Sequence, residues 1–298
     1  MALRIVFFGL PLAALLLARD GHRIELCAVC RKDALGLRRA TRTFGEDRML
    51  VRPRANDAAL LARVRSIAPD LLVSWFWTTR LPMNLVQAAK FGGLGVHPSL
   101  LPRHRGPDPT TWALLSGDEV TGVTVHRIAK EYDTGAILDQ EPQPIDPRWN
   151  AWDLARALDR PSLRALRRTV MRFARGEPVP EKPQDESLAT EAPFLDEEAS
   201  AIRWSWPTER IVRLVRALAP APGAWTEIAG KVVHVLAAQP VAKFPTALEP
   251  GEGYVEAGRA IIRTGDGAIA LIRGEIEGQE AGPKDLTRLF FSDAPLLG

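Results

Sequence analysis

Short apolar runs alternate with helical patterns at the start of the chain. Residues 3–8 form a continuous apolar run that ends at Gly9, and residues 10–18 follow with the spacing of a helix. A second apolar run covers 24–29. Strand, helix and strand in this order predict two parallel strands joined by a crossover helix.

The same alternation continues to residue 97. The patterns predict a helix over 56–67, a strand over 70–75, a helix over 83–89 and a strand over 93–97. Continuous apolar strands are typical of a parallel sheet that is covered by helices on both faces. We therefore predict a doubly wound α/β domain. It lacks the G-x-G-x-x-G fingerprint of nicotinamide-dependent dehydrogenases, because only Gly9 ends the first strand.

The second half of the chain has a different pattern. A helix is predicted over 151–175, and residues 176–183 are rich in proline and charge, as linkers are. A helix over 207–218 then precedes short apolar runs separated by glycine or proline, a pattern typical of a small antiparallel barrel. We predict an N-terminal domain over 1–176, a linker over 177–200 and a C-terminal β-barrel domain over 201–298.

Composition and charge narrow the class of protein. Hydrophobic residues make up 46% of the chain and charged residues 25%, which is ordinary for a globular protein and excludes a disordered or fibrous one. The formal net charge of +3 permits an anionic partner without requiring one. Arg4, Pro11 and Arg19 interrupt the apolar N-terminus, and no apolar run approaches the ~20 residues of a membrane span. We therefore expect a cytoplasmic protein without a signal peptide.

The two cysteines, Cys27 and Cys30, lie in an apolar run with strand character. They are too few for a disulfide scaffold and suit a reducing compartment. No second pair of Cys or His stands at the spacing of zinc ligands. We predict core residues here and no metal site.

A histidine and an aspartate occupy positions where open α/β sheets usually bind their ligands. His97 ends the strand over 93–97 and precedes a proline-rich loop, and ligands of such sheets bind beyond the carboxyl ends of the strands. Asp133 stands at a turn before the next apolar run. The pair predicts a general base and the carboxylate that orients it. His126 lies on an alternating strand between them and could face the cleft, but we favour a structural role for it.

Closely spaced residues over 97–135 carry a more specific signal. They are His97-x-Ser99-Leu100-Leu101-Pro102, Arg105-Gly106, Trp112-Ala113, Gly117, Thr121-Gly122-Val123-Thr124 and Asp133-Thr134-Gly135. This block resembles the formyltransferase family, which includes the methionyl-tRNA formyltransferases. The resemblance extends to the C-terminal part through Ile202-Arg203-Trp204-Ser205, Pro220-Ala221-Pro222-Gly223-Ala224-Trp225 and Thr264-Gly265-Asp266-Gly267.

The resemblance implies a fold and a reaction. The expected fold is a Rossmann-like α/β formyltransferase domain with a C-terminal OB-like β-barrel domain. The expected reaction transfers a formyl group from 10-formyltetrahydrofolate to an amine, with His97 as proton acceptor or oxyanion partner and Asp133 as the group that orients it. The asparagine of the family's Asn-x-His pair falls on Gly95, so Ser99 or a water is a candidate replacement donor. On this interpretation Gly95→Asn should raise formyl transfer at least about tenfold.

The resemblance also implies where the folate donor binds. Trp77, Leu81 and Pro82 follow the strand over 70–75, and Thr134 and Gly135 follow Asp133; these residues are expected to contact the donor. The aromatic run over 75–77 could stack on the pteridine or fill its place, and we expect at least one of its rings to be a core residue.

Several basic residues are candidates for contact with the acceptor. The resemblance implicates Arg105 and Gly106, together with Arg38, Arg39 and Arg42, with initiator methionyl-tRNA as the expected acceptor. The arginine-rich helix over 151–175 could follow an RNA backbone or be a solvated face. A small-amine formyltransferase and a catalytically weak folate- or RNA-binding protein remain alternatives. No obligate protein partner is predicted.

Overall fold

The computed structural model describes residues 1–228 and 230–290, which form two compact units. Unit 1 comprises Met1–Pro109, Val120–Pro144 and Ala157–Ala192. Unit 2 comprises Thr110–Glu119, Ile145–Arg156 and the chain from Pro193 onward. The boundaries predicted at 176 and 201 stay predictions, and the predicted end at residue 298 lies outside the described residues.

A mixed sheet of seven strands forms the centre of unit 1. Its strands are β1 (Arg4–Gly9), β2 (Arg23–Val29), β3 (Met49–Val51), β4 (Leu71–Trp75), β5 (Gly93–His97), β6 (Val120–Arg127) and β7 (Ile137–Pro144). They lie in the order β3-β2-β1-β4-β5-β6-β7. The first five of these in the sheet are parallel, while β6 and β7 add to β5 in antiparallel fashion. The predicted Rossmann-like α/β fold is confirmed.

Helices connect the strands of unit 1 and pack on the sheet of unit 2. They are α1 (Pro11–Arg19), α2 (Leu37–Phe44), α3 (Ala58–Ile67), α4 (Met83–Val86), α5 (Pro109–Ser116), α6 (Ala151–Arg175), α7 (Thr208–Leu218) and α8 (Pro283–Phe290). The sequence pattern predicts α6 over 151–175 and indicates no helix in the region of α2. None of the helices within 1–228 and 230–290 has both the length and the apolar character that a membrane span needs.

Trp75 is a core residue of unit 1. Its side chain is 1% exposed, and its indole N–H donates to Ser162 Oγ over 3.0 Å. Phe76 stacks on it with ring centroids 4.6 Å apart. The expectation that one ring of this aromatic run belongs to the core is confirmed. Cys27 is also fully buried, and burial raises the pKa of its thiol to about 12.

An antiparallel sheet forms the centre of unit 2. Its strands are β8 (Ala224–Ile228), β9 (Lys231–Pro240), β10 (Gly253–Glu256), β11 (Arg259–Arg263), β12 (Ala268–Ile276) and β13 (Gln279–Ala281). They lie in the order β10-β11-β12-β9-β8, and β13 pairs with β12. Ile211 and Leu214 of α7 and Leu286 of α8 pack with apolar strand residues in one core cluster. The predicted C-terminal β domain is confirmed.

The first part of the segment predicted as a linker is bound to unit 1. Lys182 exchanges two backbone hydrogen bonds with Ile137 of β7, at 2.8 and 2.9 Å. Further along, Arg105 N donates to Thr190 O and Ala192 N donates to Arg105 O. Residues 182–192 therefore run along the sheet as an ordered strap, although their composition is that of a linker.

Three arginines of the basic face predicted on α6 form ion pairs with carboxylates. Arg164 Nε donates to Glu141 Oε1 over 2.6 Å, and Arg168 donates to Glu141 Oε2 over 2.7 Å. Arg167 holds both carboxylate oxygens of Asp20 at 2.6 Å. These ion pairs favour the interpretation of α6 as a solvated helix over that of an RNA-binding face.

The buried bond between Trp75 and Ser162 gives a testable prediction. Ser162→Ala leaves a buried indole N–H without its acceptor, so we expect the free energy of unfolding to fall by about 1–3 kcal/mol, measured by urea denaturation. Ser66→Ala is the control, because the Ser66 hydroxyl bonds Arg63 O at an exposed position. Equal stability of the two variants would contradict the core assignment of Trp75.

Candidate active site

Two neighbouring strands bring candidate residues to one face of the sheet. Gly95 and His97 are two residues apart on β5, so their side-chain positions share a face. On β6, His126 pairs with Gly95, and Thr124 pairs with His97. Directly opposed residues of antiparallel strands also share a face. Two buried histidines therefore stand beside a glycine.

Asp133 reaches this face from the turn between β6 and β7. Its φ of +56° lies in the left-handed region, which is uncommon for a residue other than glycine. Gly106 N donates to its Oδ2 over 3.0 Å. Gln184 Nε2 donates to Asp133 O at 2.6 Å and to Gly135 O at 2.8 Å. These bonds hold the turn in a conformation that costs backbone strain.

Gly135 allows the turn to lie close to β6. A Cβ atom at this position would stand 1.8 Å from the carbonyl oxygen of Arg127, so no other residue fits without moving the backbone. Thr134 Oγ1 donates to Glu131 O over 3.1 Å and closes the turn on its other side. The glycine of Asp133-Thr134-Gly135 thus positions the Asp133 carboxylate.

The two histidines face the same carboxylate. His97 Nδ1 is 3.5 Å from Asp133 Oδ2, and His126 Nε2 is 3.6 Å from Asp133 Oδ1. Their other nitrogens meet backbone carbonyls: His97 Nε2 is 2.8 Å from His104 O, and His126 Nδ1 is 2.9 Å from Arg127 O. A carbonyl oxygen only accepts, so each of these outer nitrogens carries a proton.

Burial governs the charge state of His126. Desolvation lowers the pKa of its imidazole, the Asp133 carboxylate opposes that effect, and His97 adds to the lowering. The net shift is downward, so His126 is neutral at pH 7. With Nδ1 protonated, the neutral ring has its lone pair on Nε2, the nitrogen that faces Asp133.

The His126 ring occupies the space beside Gly95. A Cβ atom at Gly95 would lie 2.5 Å from His126 Nε2 and 2.7 Å from its Cε1. His126 therefore stands beside Gly95 and Asp133, although the sequence alone did not predict that it faces the cleft. Gly95, where the resemblance implies an asparagine, was the sequence signal that this position is unusual. Only the pairing of β5 with β6 shows that His126 is the neighbour that fills the space.

Ser99 and Arg105 are engaged in bonds within the chain. Ser99 is fully buried, and its Oγ donates to Arg103 O over 2.6 Å, so it does not supply the replacement donor expected of it. The Arg105 guanidinium is bound by Gln184 Oε1 and by both carboxylate oxygens of Glu186. Arg105 therefore secures the strap rather than offering a free cation to an acceptor. No local sequence pattern pointed to Gln184.

The loop after β4 faces the turn that carries Asp133. Arg80 of this loop donates to Lys130 O. Trp77 is half-buried and packs edge-on against Phe8, and its Nε1 is buried with no hydrogen-bond partner within 1–228 and 230–290. An apolar ring with an unpaired buried donor is the kind of group that fits a flat, polar-edged heterocycle.

Leu81 and Pro82 connect this loop to the core of unit 1 and to α4. Leu81 is 5% exposed and belongs to the core cluster that includes Leu85 and Val86. Pro82 stands at the N-terminal cap of α4. Both residues therefore position the loop, and their expected contact with the folate donor stays a prediction.

The second basic group lies on the helix between β2 and β3. Arg38, Arg39 and Arg42 are exposed on α2. This helix packs on α1, and Gly36 at its N-terminal cap lies beside Pro11, the first residue of α1. The expected contact of these arginines with the acceptor stays a prediction. Within the described part of the chain, no group of three or more His, Cys, Asp or Glu is arranged to hold a metal ion.

Comparison with known proteins identifies the family. Residues 27–170 match the model "Formyl transferase", and residues 195–287 match "Formyl transferase, C-terminal domain". A methionyl-tRNA formyltransferase of Anaeromyxobacter dehalogenans is 35% identical over 295 residues, which cover 94% of each chain. The chain belongs to the formyltransferase family. The predicted resemblance is thereby confirmed, and so is formyl transfer with a folate derivative as the type of activity.

A second methionyl-tRNA formyltransferase and a solved structure also match most of this chain. A methionyl-tRNA formyltransferase of Thermobifida fusca is 32% identical and covers 94% of each chain. Among solved structures, HypX of Aquifex aeolicus in complex with tetrahydrofolic acid has a TM-score of 0.69 at 19% identity. That match covers 98% of this chain and 48% of HypX, so the chain spans about half the length of HypX and shares its fold.

A structure with higher identity covers the N-terminal part of this formyltransferase. Glycinamide ribonucleotide transformylase 1 from Symbiobacterium toebii is 26% identical with a TM-score of 0.53. The match covers 62% of this chain and 95% of the transformylase.

The contact between Gly95 and His126 gives a prediction for stability. Gly95→Asn forces a Cβ atom against the imidazole, and overpacking of this kind should lower the free energy of unfolding by about 1–3 kcal/mol in urea denaturation. Gly176→Asn is the matched control, because a Cβ atom there meets open space and asparagine tolerates its positive φ. A Gly95→Asn protein as stable as the control would show that His126 does not fill this space.

Proposed function

We propose that this chain is a methionyl-tRNA formyltransferase that transfers the formyl group of 10-formyltetrahydrofolate to the amino group of initiator methionyl-tRNA. The observation that carries the proposal is the identity of 35% to such an enzyme over 94% of both chains. The cluster of His97, His126 and Asp133 at the carboxyl end of β5 supports it, since ligands of this type of sheet bind there.

The cluster fits the demands of formyl transfer. The donor substrate supplies a formyl group bound to a nitrogen that must leave with a proton. The protein has to stabilise charge on the formyl oxygen, take a proton from the attacking amine and return one to the leaving nitrogen. An imidazole beside Asp133 can hold that proton as an imidazolium that the carboxylate stabilises, and His97 and His126 stand 3.5 and 3.6 Å from it.

In this proposal the folate ring binds between the loop after β4 and the Asp133 turn. Trp77 offers an apolar face and an unpaired buried N–H. The turn at Asp133, Thr134 and Gly135 lies across from this loop, and Gly106 N donates to the Asp133 carboxylate. This placement agrees with the donor site that the sequence predicts at Trp77, Thr134 and Gly135.

The acceptor site favours a macromolecule. Arg38, Arg39 and Arg42 form an exposed basic group on α2 that a small amine would not need. Phosphates of a tRNA can pair with this group, and basic residues that meet phosphates supply sequence-independent affinity. The small-amine and binding-protein alternatives have no comparable observation in their favour.

A formylation assay tests the function. With 10-formyltetrahydrofolate and charged initiator tRNA, we expect formyl-methionyl-tRNA to accumulate, with a KM for tRNA that rises steeply with salt because phosphate contacts release counterions. Replacing Arg38, Arg39 and Arg42 by serine should raise that KM about tenfold or more at low salt and leave donor binding unchanged.

The matched control replaces Arg19, Arg54 and Arg65, three exposed arginines of unit 1 outside the proposed acceptor surface, by serine. It removes the same charge and should leave the KM for tRNA within about twofold, since it removes no phosphate contact. Formylation of a free small amine at an efficiency equal to that of the charged tRNA would contradict the proposed acceptor.

A further inference from the structure

The site beside Gly95 contains a titratable ring where the family has an amide. His126 Nε2 and Cε1 stand 2.5 and 2.7 Å from the position of a Cβ atom at Gly95, so the ring fills the volume into which a longer side chain would project. The His126 side chain is 7% exposed. An amide donates a hydrogen bond without accepting a proton at neutral pH, whereas an imidazole can do both.

The surroundings of His126 fix which nitrogen is reactive. Its Nδ1–H is donated to Arg127 O over 2.9 Å, so Nε2 is the nitrogen that gains or loses a proton. The groups that face it are the Asp133 carboxylate from the β6–β7 turn and the His97 imidazole from β5. Asp133 favours the charged ring, while burial and His97 oppose it, and the net effect keeps Nε2 unprotonated at pH 7.

His97 has the same arrangement on the other side of the carboxylate. Its Nε2–H is donated to His104 O, and its Nδ1 faces Asp133 Oδ2. Two histidine nitrogens, one from each anchored ring, therefore flank the Asp133 carboxylate at 3.5 and 3.6 Å. When one ring carries an additional proton, the carboxylate neutralises it, and the other ring still has a lone pair available.

We propose that His126 is a catalytic base of the transfer reaction, taking over the place beside Gly95 and changing its task from hydrogen-bond donor to proton carrier. The inference rests on the proposed formyl transfer. As the acceptor nitrogen forms its bond to the formyl carbon, its N–H proton passes to His126 Nε2. As the bond from the formyl carbon to the donor nitrogen breaks, the same proton passes to that leaving nitrogen, so the ring ends as it began.

A spectroscopic test needs no turnover. In protein labelled with ¹⁵N-histidine at pH 7, His126 should show a protonated Nδ1 and an unprotonated Nε2, and its pKa should lie below 6.5. In Asp133→Asn the pKa should fall further, because the carboxylate that favours the charged ring is gone. A protonated Nε2 at pH 7, or a pKa above 6.5, would overturn the proposal.

A kinetic test separates catalysis from structure. His126→Gln should lower kcat for formyl transfer about 100-fold, with the affinity for a stable folate analogue, measured by calorimetry, within about threefold of native. The native rate should be full above pH 6.5 and fall as the pH drops through the lowered pKa of His126, because the protonated ring cannot accept. This acid limb should vanish in the variant.

His22→Gln is the matched control. His22 is buried, accepts a hydrogen bond from Leu3 N, and has a pKa that burial lowers, but it lies at the start of β2 outside the site. This variant should keep the native pH profile and a kcat within about twofold of native, as a residue without a role in proton transfer should. An unchanged kcat and pH profile in His126→Gln would remove His126 from the reaction while leaving the proposed function intact.

A double-mutant cycle tests whether the His126 ring occupies the space that an asparagine side chain at position 95 would need. Gly95→Asn should lower formyl transfer in the native background, where the ring blocks the amide, and raise it about tenfold in a His126→Ala background, where the space is open. Equal effects in both backgrounds would overturn the exchange. If the native protein binds no folate analogue and formylates no amine, the proposed function fails, and the base role fails with it.

Discussion

The site depends on the pairing of Gly95 with His126 across β5 and β6. The glycine leaves room for an imidazole directly over the strand. That ring and His97 then meet the two oxygens of one carboxylate, which the turn between β6 and β7 delivers. If another residue stood at 95, the ring would have to move, and one of the two nitrogens at Asp133 would be lost. The same contact therefore determines both how the strands pack and which histidine nitrogens face the carboxylate.

Much of the fold could be predicted, because it is encoded locally. Apolar runs of strand length separated by helical patterns predicted β1, β2, β4 and β5. Because these runs are apolar at successive positions, they also predicted the parallel sheet. The helix α6 was predicted at its observed bounds. The helix α2 was missed because it is only eight residues long, is rich in arginine and lies between two glycines, although Leu37, Ala40 and Phe44 recur at helical spacing. The antiparallel addition of β6 and β7 follows from strand pairing, which a single strand pattern does not specify.

The candidate site was predictable only in part, for a physical reason. His97 and Asp133 were predicted from their places at a strand end and a turn, and the family motif reinforced them. His126 and Gln184 depend on which strand or strap lies next to which, and these contacts join residues far apart in sequence. Gln184 belongs to a proline-rich stretch with linker composition, yet its amide bonds Asp133 O and Gly135 O. Ser99 and Arg105 show the reverse: a motif identifies them, but their polar atoms are already bonded inside the protein.

In the proposed mechanism, a single carboxylate between two histidines manages the proton of formyl transfer. The single-turnover rate of formyl transfer by Asp133→Asn tests this role, because the variant keeps the shape of the side chain and removes its charge. We expect a rate about 100-fold or more below native, with binding of a folate analogue retained, because neither imidazolium is then neutralised. A rate close to native would rule out this role of Asp133.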